Sequence, residues 1–373
     1  MRLDLGKKVK RVIVKIGSGV ITDENGFLDE VRIKSIVSQI NWLHNKGLQV
    51  LIVSSGAIAA GRGVLRLRNS LSSIPQKQAA AAIGQCHLIW AYEKYFTQFG
   101  LEVAQILLTH DDLGVRERYL NARNTLLALL DYKVIPIINE NDTVAVKEIK
   151  FGDNDNLSAL VANLIDADLL IILSDVEGLH DSDPRTDPSA KLFHYVDKVT
   201  PQIEKLARGS SSRVGTGGMI SKLHAAKKVA FLGAPTVIVN GRKDEVIEKI
   251  FSGENIGTLF SPHGDKLTSR KHWIAYTLKP QGELWVDEGA LNALLNKGKS
   301  LLATGVLEVT GNFSYGASVS CLDKVGKEFG RGLVNYSSKE LKTIKGHRTW
   351  EIEEILGYKY FDEVIHRDNF VLI

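Results

Sequence analysis

Six short apolar runs, spaced by segments of helical periodicity, constrain the first two thirds of this chain more than any other feature. They read RVIVKI (11–16), LQVLIVSS (48–55), LEVAQILL (101–108), KVIPIIN (133–139), DLLIILSD (168–175) and APTVIVN (234–240). Between them lie helix-like stretches at 29–46, 75–98 and 116–131, then one after Asn156 and one after Gly218. Strands this short and this uniformly apolar are buried on both faces, which implies parallel pairing with helices above and below. The expected class is α/β: a three-layer αβα sandwich around a mainly parallel open sheet, spanning residues 1–260. The alternation stops near residue 260. A polar, Pro/Gly-punctuated linker follows at 261–279, and from 280 to 373 the texture changes to short strand runs with glycine turns, GVLEVTGNFSYGASVSCL among them. A small β-rich domain is expected there.

Composition narrows the partners. With 47 basic and 43 acidic residues the net charge is +4, so no general polycation advertises for nucleic acid or anionic lipid. No segment reaches the roughly 18 apolar residues of a membrane span, and the apolar run near the N-terminus is interrupted by Lys15 and too short for a signal peptide. Cys86 and Cys321 lie far apart with no metal-type or disulfide spacing around them. A cytoplasmic protein without membrane partners is the expectation.

In open parallel sheets ligands gather at the carboxyl ends of the strands, and the polar signals here sit at those ends. Lys15, Gly17 and Gly19 close the first strand; Ser54, Ser55 and Gly56 the second; Asn139 to Asp142 the fourth; Ser174 and Asp175 the fifth. The loop SRVGTGGMISK opens a helix that carries Lys222. Glycine-rich turns at helix starts expose amides to phosphate. The dinucleotide fingerprint fails, because its third glycine would fall at Thr22, and the Walker A order fails, because Lys222 follows Ser221. A different nucleotide geometry is required.

The run FGDNDNLSAL places Asp153, Asn154, Asp155 and Asn156 ahead of an apolar helix. One such residue suffices for capping, and added negative charge at a helix start contributes only ~0.3–1 kcal/mol. Four in a row exceed that need. Plainer readings stand beside each candidate: Lys15 snorkelling to solvent, Lys222 a solvated helix charge, Asp142 an Asx-turn, the glycines mere turns.

Taken in order, SSGAIAAGR, LNARNTLLALL, INENDTVAVKEIKFGDNDNLSAL, DPR and GTGGMISKL resemble the amino acid kinase family, and the tail resembles a PUA domain. Within the family the tail and the GDNDNLSAL segment favour the members that phosphorylate L-glutamate over those acting on N-acetylglutamate, aspartate or UMP. The resemblance implies phosphoryl transfer from ATP, with Mg2+, to the side-chain carboxylate of L-glutamate at the head of proline synthesis. It further implies feedback by proline and a homo-oligomer, dimer or tetramer. A carboxylate is already ionised at neutral pH, so no general base is needed. By the same resemblance Lys15 and Lys222 supply positive charge to the moving phosphoryl group from opposite sides. Two ammonium groups ~4 Å apart repel by about 4 kcal/mol at an effective dielectric of 20, so an anion should sit between them, and Asp155 is the candidate. Asp142 and Asn154 match the glutamate-binding positions, with Ser55 contacting the substrate, Asp142 and Asp153 suited to its α-ammonium and Asn154 to a carboxylate. ATP is expected along Lys15, Ser174, Asp175 and the loop Thr216, Gly217, Gly218, Met219, Ile220, Ser221 and Lys222. Mg2+ is expected to bind through phosphates and water, with no protein ligand. A rival reading, an RNA-binding protein acting through the tail, is weakened by 11 basic against 13 acidic residues over 280–373.

Overall fold

The computed structural model describes residues 9–67, 71–114, 116–144, 154–207, 218–262 and 280–373. Along the chain these form β1 (Arg11–Ile16), α1 (Glu30–Asn45), β2 (Gln49–Ser54), α2 (Ala57–Val64), α3 (Ile74–Phe96), β3 (Val103–Leu108), α4 (His110–Gly114), α5 (Arg116–Asp131) and β4 (Ile135–Glu140). There follow α6 (Asn154–Leu164), β5 (Leu169–Ser174), β6 (Tyr195–Val196), α7 (Pro201–Ala207), α8 (Met219–Phe231), β7 (Thr236–Asn240), α9 (Val246–Phe251) and β8 (Thr258–Phe260). The chain divides into two compact units, residues 1–113 with 122–263, and residues 114–121 with 264–373.

The sheet of the first unit runs β3-β4-β2-β1-β5-β7-β8-β6. Its first six strands are parallel, β8 turns antiparallel to β7, and β6 pairs parallel to β8. The central strands are buried along nearly their whole length, which is why their sequences show no polar alternation. Period two divides β1 between the two faces. Val12, Val14 and Ile16 join Ile33, Ile36 and Ile40 of α1 and Tyr92 and Phe96 of α3 in one core, so Lys15 belongs to the opposite face, where α6 and α8 pack.

Helix starts follow local chemistry. Asp29 accepts hydrogen bonds from the Val31 and Arg32 amides, and Ser73 with Gln76 makes a reciprocal capping box at the head of α3. α6 begins at Asn154, three residues earlier than expected, so Asp155 and Asn156 lie inside its first turn. Two helical glycines set the spacing of α2 and α3: a Cβ on Gly61 would fall 1.8 Å from the Ala80 carbonyl oxygen, and one on Gly84 1.8 Å from that of Ala57. The helices touch backbone to backbone there.

The second unit contains β9 (Gly282–Val286), α10 (Glu288–Asn296), β10 (Val306–Gly311), β11 (Ser318–Leu322), β12 (Glu328–Leu333), α11 (Ser338–Ile344), α12 (Ile352–Leu356) and β13 (Phe370–Leu372). Its sheet runs β10-β9-β11-β12-β13, antiparallel except where β9 meets β11. Leu284, Val319, Cys321, Tyr336, Leu341 and Ile365 fill its core. Burial, aided by Glu328, pushes the Cys321 thiol up to about 12, which leaves it an inert packing group.

Candidate active site

Four strand ends and two helix starts meet at the carboxyl edge of the first unit's sheet. β1 delivers Lys15 and then a tight turn whose Gly17 amide donates to the Leu173 carbonyl at 3.1 Å. β2 delivers Ser54 and Ser55. The following Gly56 takes a φ of +111°, open to glycine but strained for other residues, and a Cβ there would lie 2.8 Å from Ile21 Cδ1. α6 and α8 point their first turns at the same place.

The centre is Asp155. Its Oδ1 lies 2.6 Å from Lys15 Nζ and its Oδ2 3.2 Å from Lys222 Nζ. Ser221 Oγ donates to Oδ2 at 2.6 Å. Lys15, Asp155 and Lys222 are exposed by only 5, 1 and 6 %, so neither lysine snorkels and neither is a solvated surface charge. Burial by itself pushes the Asp155 carboxyl up. The Lys15 and Lys222 charges, with hydrogen bonds from Lys15 and Ser221, outweigh it and hold the group well below the usual carboxylate range. The cluster therefore carries two cations and one anion in a low-dielectric setting, a net positive charge that a phosphoryl group complements.

On one side of this cluster lies a group of hydrogen-bonded polar side chains. Asn154 Nδ2 donates to Ser55 Oγ at 2.9 Å and to Asn139 Oδ1 at 3.0 Å, with the Ser54 carbonyl at 3.4 Å. The expectation that Asn154 donates to a substrate carboxylate meets a difference here: its NH2 group is taken up by protein acceptors, and its Oδ1 is the atom left without a partner. Ser54 Oγ shares a hydrogen bond with Tyr92 OH at 2.9 Å. Asp142 sits half-buried in the turn after β4, where the Val144 amide closes on the Asn141 carbonyl at 3.1 Å. Asp153 lies outside the described residues.

On the other side opens a cavity of about 280 Å³ that reaches Lys222. Ser174, Asp175, Gly218 and Met219, the residues expected to meet the nucleotide, are among its lining. Ile220 and Ser221 follow in the first turn of α8, while Thr216 and Gly217 lie outside the described residues. The sequence reasoning missed most of the opposite wall, formed by Val176, Gly178, His180, Asp183, Arg185 and Asn240. Only the DPR triplet hinted at it. Arg185 Nη2 pairs with Asp183 Oδ2 at 2.8 Å, which holds the Asp183 carboxyl below its ordinary value. Asn240 Nδ2 donates to Glu177 Oε1 at 3.1 Å.

Among the described residues no group of three or more His, Cys, Asp or Glu side chains could hold a metal ion. Asp155, the one carboxylate at the centre, already answers two ammonium groups.

Comparison with known proteins places these elements in context. Residues 10–240 match the model of the amino acid kinase family, and residues 282–356 that of the PUA domain. The chain is 54 % identical over 373 residues to a protein of Geobacter sulfurreducens, with all of both chains covered, and 55 % identical over 374 residues to one of Geobacter metallireducens, again with full coverage. It is 51 % identical to a protein of Caldanaerobacter subterraneus over 97 % of this chain and 98 % of the other. All three relatives bear the name glutamate 5-kinase.

Proposed function

Because the chain belongs to the amino acid kinase family, we propose that it transfers the γ-phosphoryl group of ATP to the side-chain carboxylate of L-glutamate, giving γ-glutamyl phosphate, the first step of proline synthesis. The observation that carries this reading is the buried Lys15–Asp155–Lys222 cluster, flanked by the hydrogen-bonded Ser55, Asn139 and Asn154 side chains and by a cavity lined by nucleotide-type positions. An anionic acceptor must approach an anionic donor, so catalysis consists chiefly of positioning and of positive charge at the transferring group. Lys15 and Lys222 supply that charge. Asp155 holds both ammonium groups in place, and Ser221 fixes the carboxylate between them. Ser174, Asp175 and the stretch from Thr216 to Lys222 take the nucleotide; Ser55, Asp142, Asp153 and Asn154 take the amino acid. No proton need be removed from the acceptor, and no base is assigned. Mg2+ bound with ATP would neutralise charge on the phosphates, and no residue of the chain is assigned to hold it.

The catalytic domain is residues 1–260, joined through 261–279 to a PUA-like domain at 280–373. Among the described residues no helix is long and apolar enough to cross a membrane, in keeping with a cytoplasmic setting. Proline as a feedback inhibitor and a dimer or tetramer as the working form complete the proposal. The deciding experiment measures ADP release with glutamate, aspartate, N-acetylglutamate and UMP, using hydroxylamine to trap an acyl phosphate. Glutamate is expected to give both ADP and hydroxamate; turnover of UMP or N-acetylglutamate in its place would overturn the assignment.

A further inference from the structure

Behind the strand ends three side-chain amides hydrogen-bond in series: Gln85 of α3, Asn139 of β4 and Asn154 of α6. Their orientations are determined by chemistry. The Glu140 backbone N–H can only donate, so the Asn139 atom receiving it at 2.9 Å is Oδ1. Asn139 Nδ2 then donates to Gln85 Oε1 at 2.8 Å, and Asn139 Oδ1 also accepts from Asn154 Nδ2 at 3.0 Å. The series leaves one donor and one acceptor over. Gln85 Nε2 and Asn154 Oδ1 are both buried and both without a hydrogen-bond partner, although Gln85 is only 8 % exposed. Leaving such groups unpaired destabilises a fold, which directs attention to a partner from outside the protein.

The placement of Gln85 is enforced. Gly84 lets α3 approach the Ala57 carbonyl with no room for a Cβ, and the next residue reaches Asn139. Two turns further along, on the same stripe of the helix, Tyr92 pairs its hydroxyl with Ser54 Oγ at 2.9 Å. Tyr92 is satisfied by the protein; Gln85 is only half satisfied. An amino acid head group carries an anionic acceptor and a cationic donor on one carbon, the complement of the two unpaired atoms.

We propose that Gln85 is a specificity-determining residue of the amino-acid subsite. Its Nε2–H donates to the α-carboxylate of the substrate while Asn154 Oδ1 accepts from the α-ammonium, and the Asn139 amide between them sets both orientations. The assignment deepens the functional reading above and rests on it.

The test compares L-glutamate with its α-carboxamide, isoglutamine, which keeps the side-chain carboxylate that is phosphorylated. Wild-type protein prefers glutamate. In Gln85→Glu the donor becomes a carboxylate, which repels an α-carboxylate but accepts a hydrogen bond from an α-carboxamide. The ratio of kcat/KM for glutamate to that for isoglutamine therefore falls at least about tenfold, with the loss on KM for glutamate and not on KM for ATP. Gln85→Met, which introduces no buried charge, lowers the same ratio by a smaller factor, about threefold, should the glutamate variant fail to fold. Loss on both substrates by one common factor in either folded variant assigns Gln85 to packing alone and overturns the proposal. A wild-type protein that phosphorylates neither compound overturns the functional reading itself, an outcome visible before any variant is made.

Discussion

Replacing Asp155 by Asn removes the anion between two buried cations while nearly preserving shape. The contacts at 2.6 and 3.2 Å correspond to about 6 and 5 kcal/mol of Coulomb attraction at an effective dielectric of 20, before desolvation is counted. Their loss leaves two ammonium groups facing an amide; at a separation of ~6 Å they repel by about 3 kcal/mol. Breaking a buried pair in this way costs about 3–5 kcal/mol, and the cheapest relief is for the pair to shed one proton. Asp155→Asn should therefore lower kcat by on the order of 10²–10³, the range for removing one preorganised charge stabiliser, while ATP affinity changes by less than about tenfold. Its residual turnover should rise as pH is lowered from 8 toward 6, because acid returns the missing proton. Simple loss of packing would not produce that direction. Coupled ADP-release assays across this pH range, with equilibrium ATP binding measured alongside, decide the matter. Turnover within threefold of wild type, or ATP affinity falling in step with turnover, would refute the charge-clamp account.

Ser221→Ala removes the 2.6 Å hydrogen bond to Asp155 Oδ2, so kcat should drop about tenfold with little change in ATP affinity; an unchanged kcat would show that the hydroxyl does not orient the carboxylate. The depressed Asp155 carboxyl contributes stability that is fully present above the ordinary carboxylate value, near 3.9, and is lost as pH falls through its folded value. The denaturant-measured stability gap between wild type and Asp155→Asn should accordingly narrow as pH falls below about 4; a gap that widens in acid contradicts the sign. Gly84→Ala drives a Cβ to within 1.8 Å of the Ala57 carbonyl oxygen and should cost about 2–4 kcal/mol, read as a lowered melting temperature together with a raised KM for glutamate, since Gln85 and the Ser54 turn move with it. A melting temperature matching wild type would mean that α2 and α3 separate freely.

The parallel core was legible because burial on both faces leaves a chemical trace, unbroken Ile, Leu and Val. The antiparallel edge was not: β6 is two residues long and β8 three, too short for any period to register. The same contrast holds at the site. Lys15 was conspicuous as a charge ending an apolar strand, and the opposite-sign requirement between two lysines singled out Asp155 before any geometry was known. Gln85 offered no such signal, since one of three Gln residues in the Ala-rich 74–96 helix looks like an ordinary surface residue. Only tertiary contact reveals that its amide is buried and half answered. One trace was present one residue earlier, a glycine in the interior of a long helix, where it costs ~1 kcal/mol against alanine. Such a glycine is retained for close approach, and close approach here sets what its neighbour touches. A buried charge can thus be inferred from the expense of leaving it unpaired, whereas a neutral amide becomes visible as a functional group only when its own hydrogen bonds are counted and one is missing.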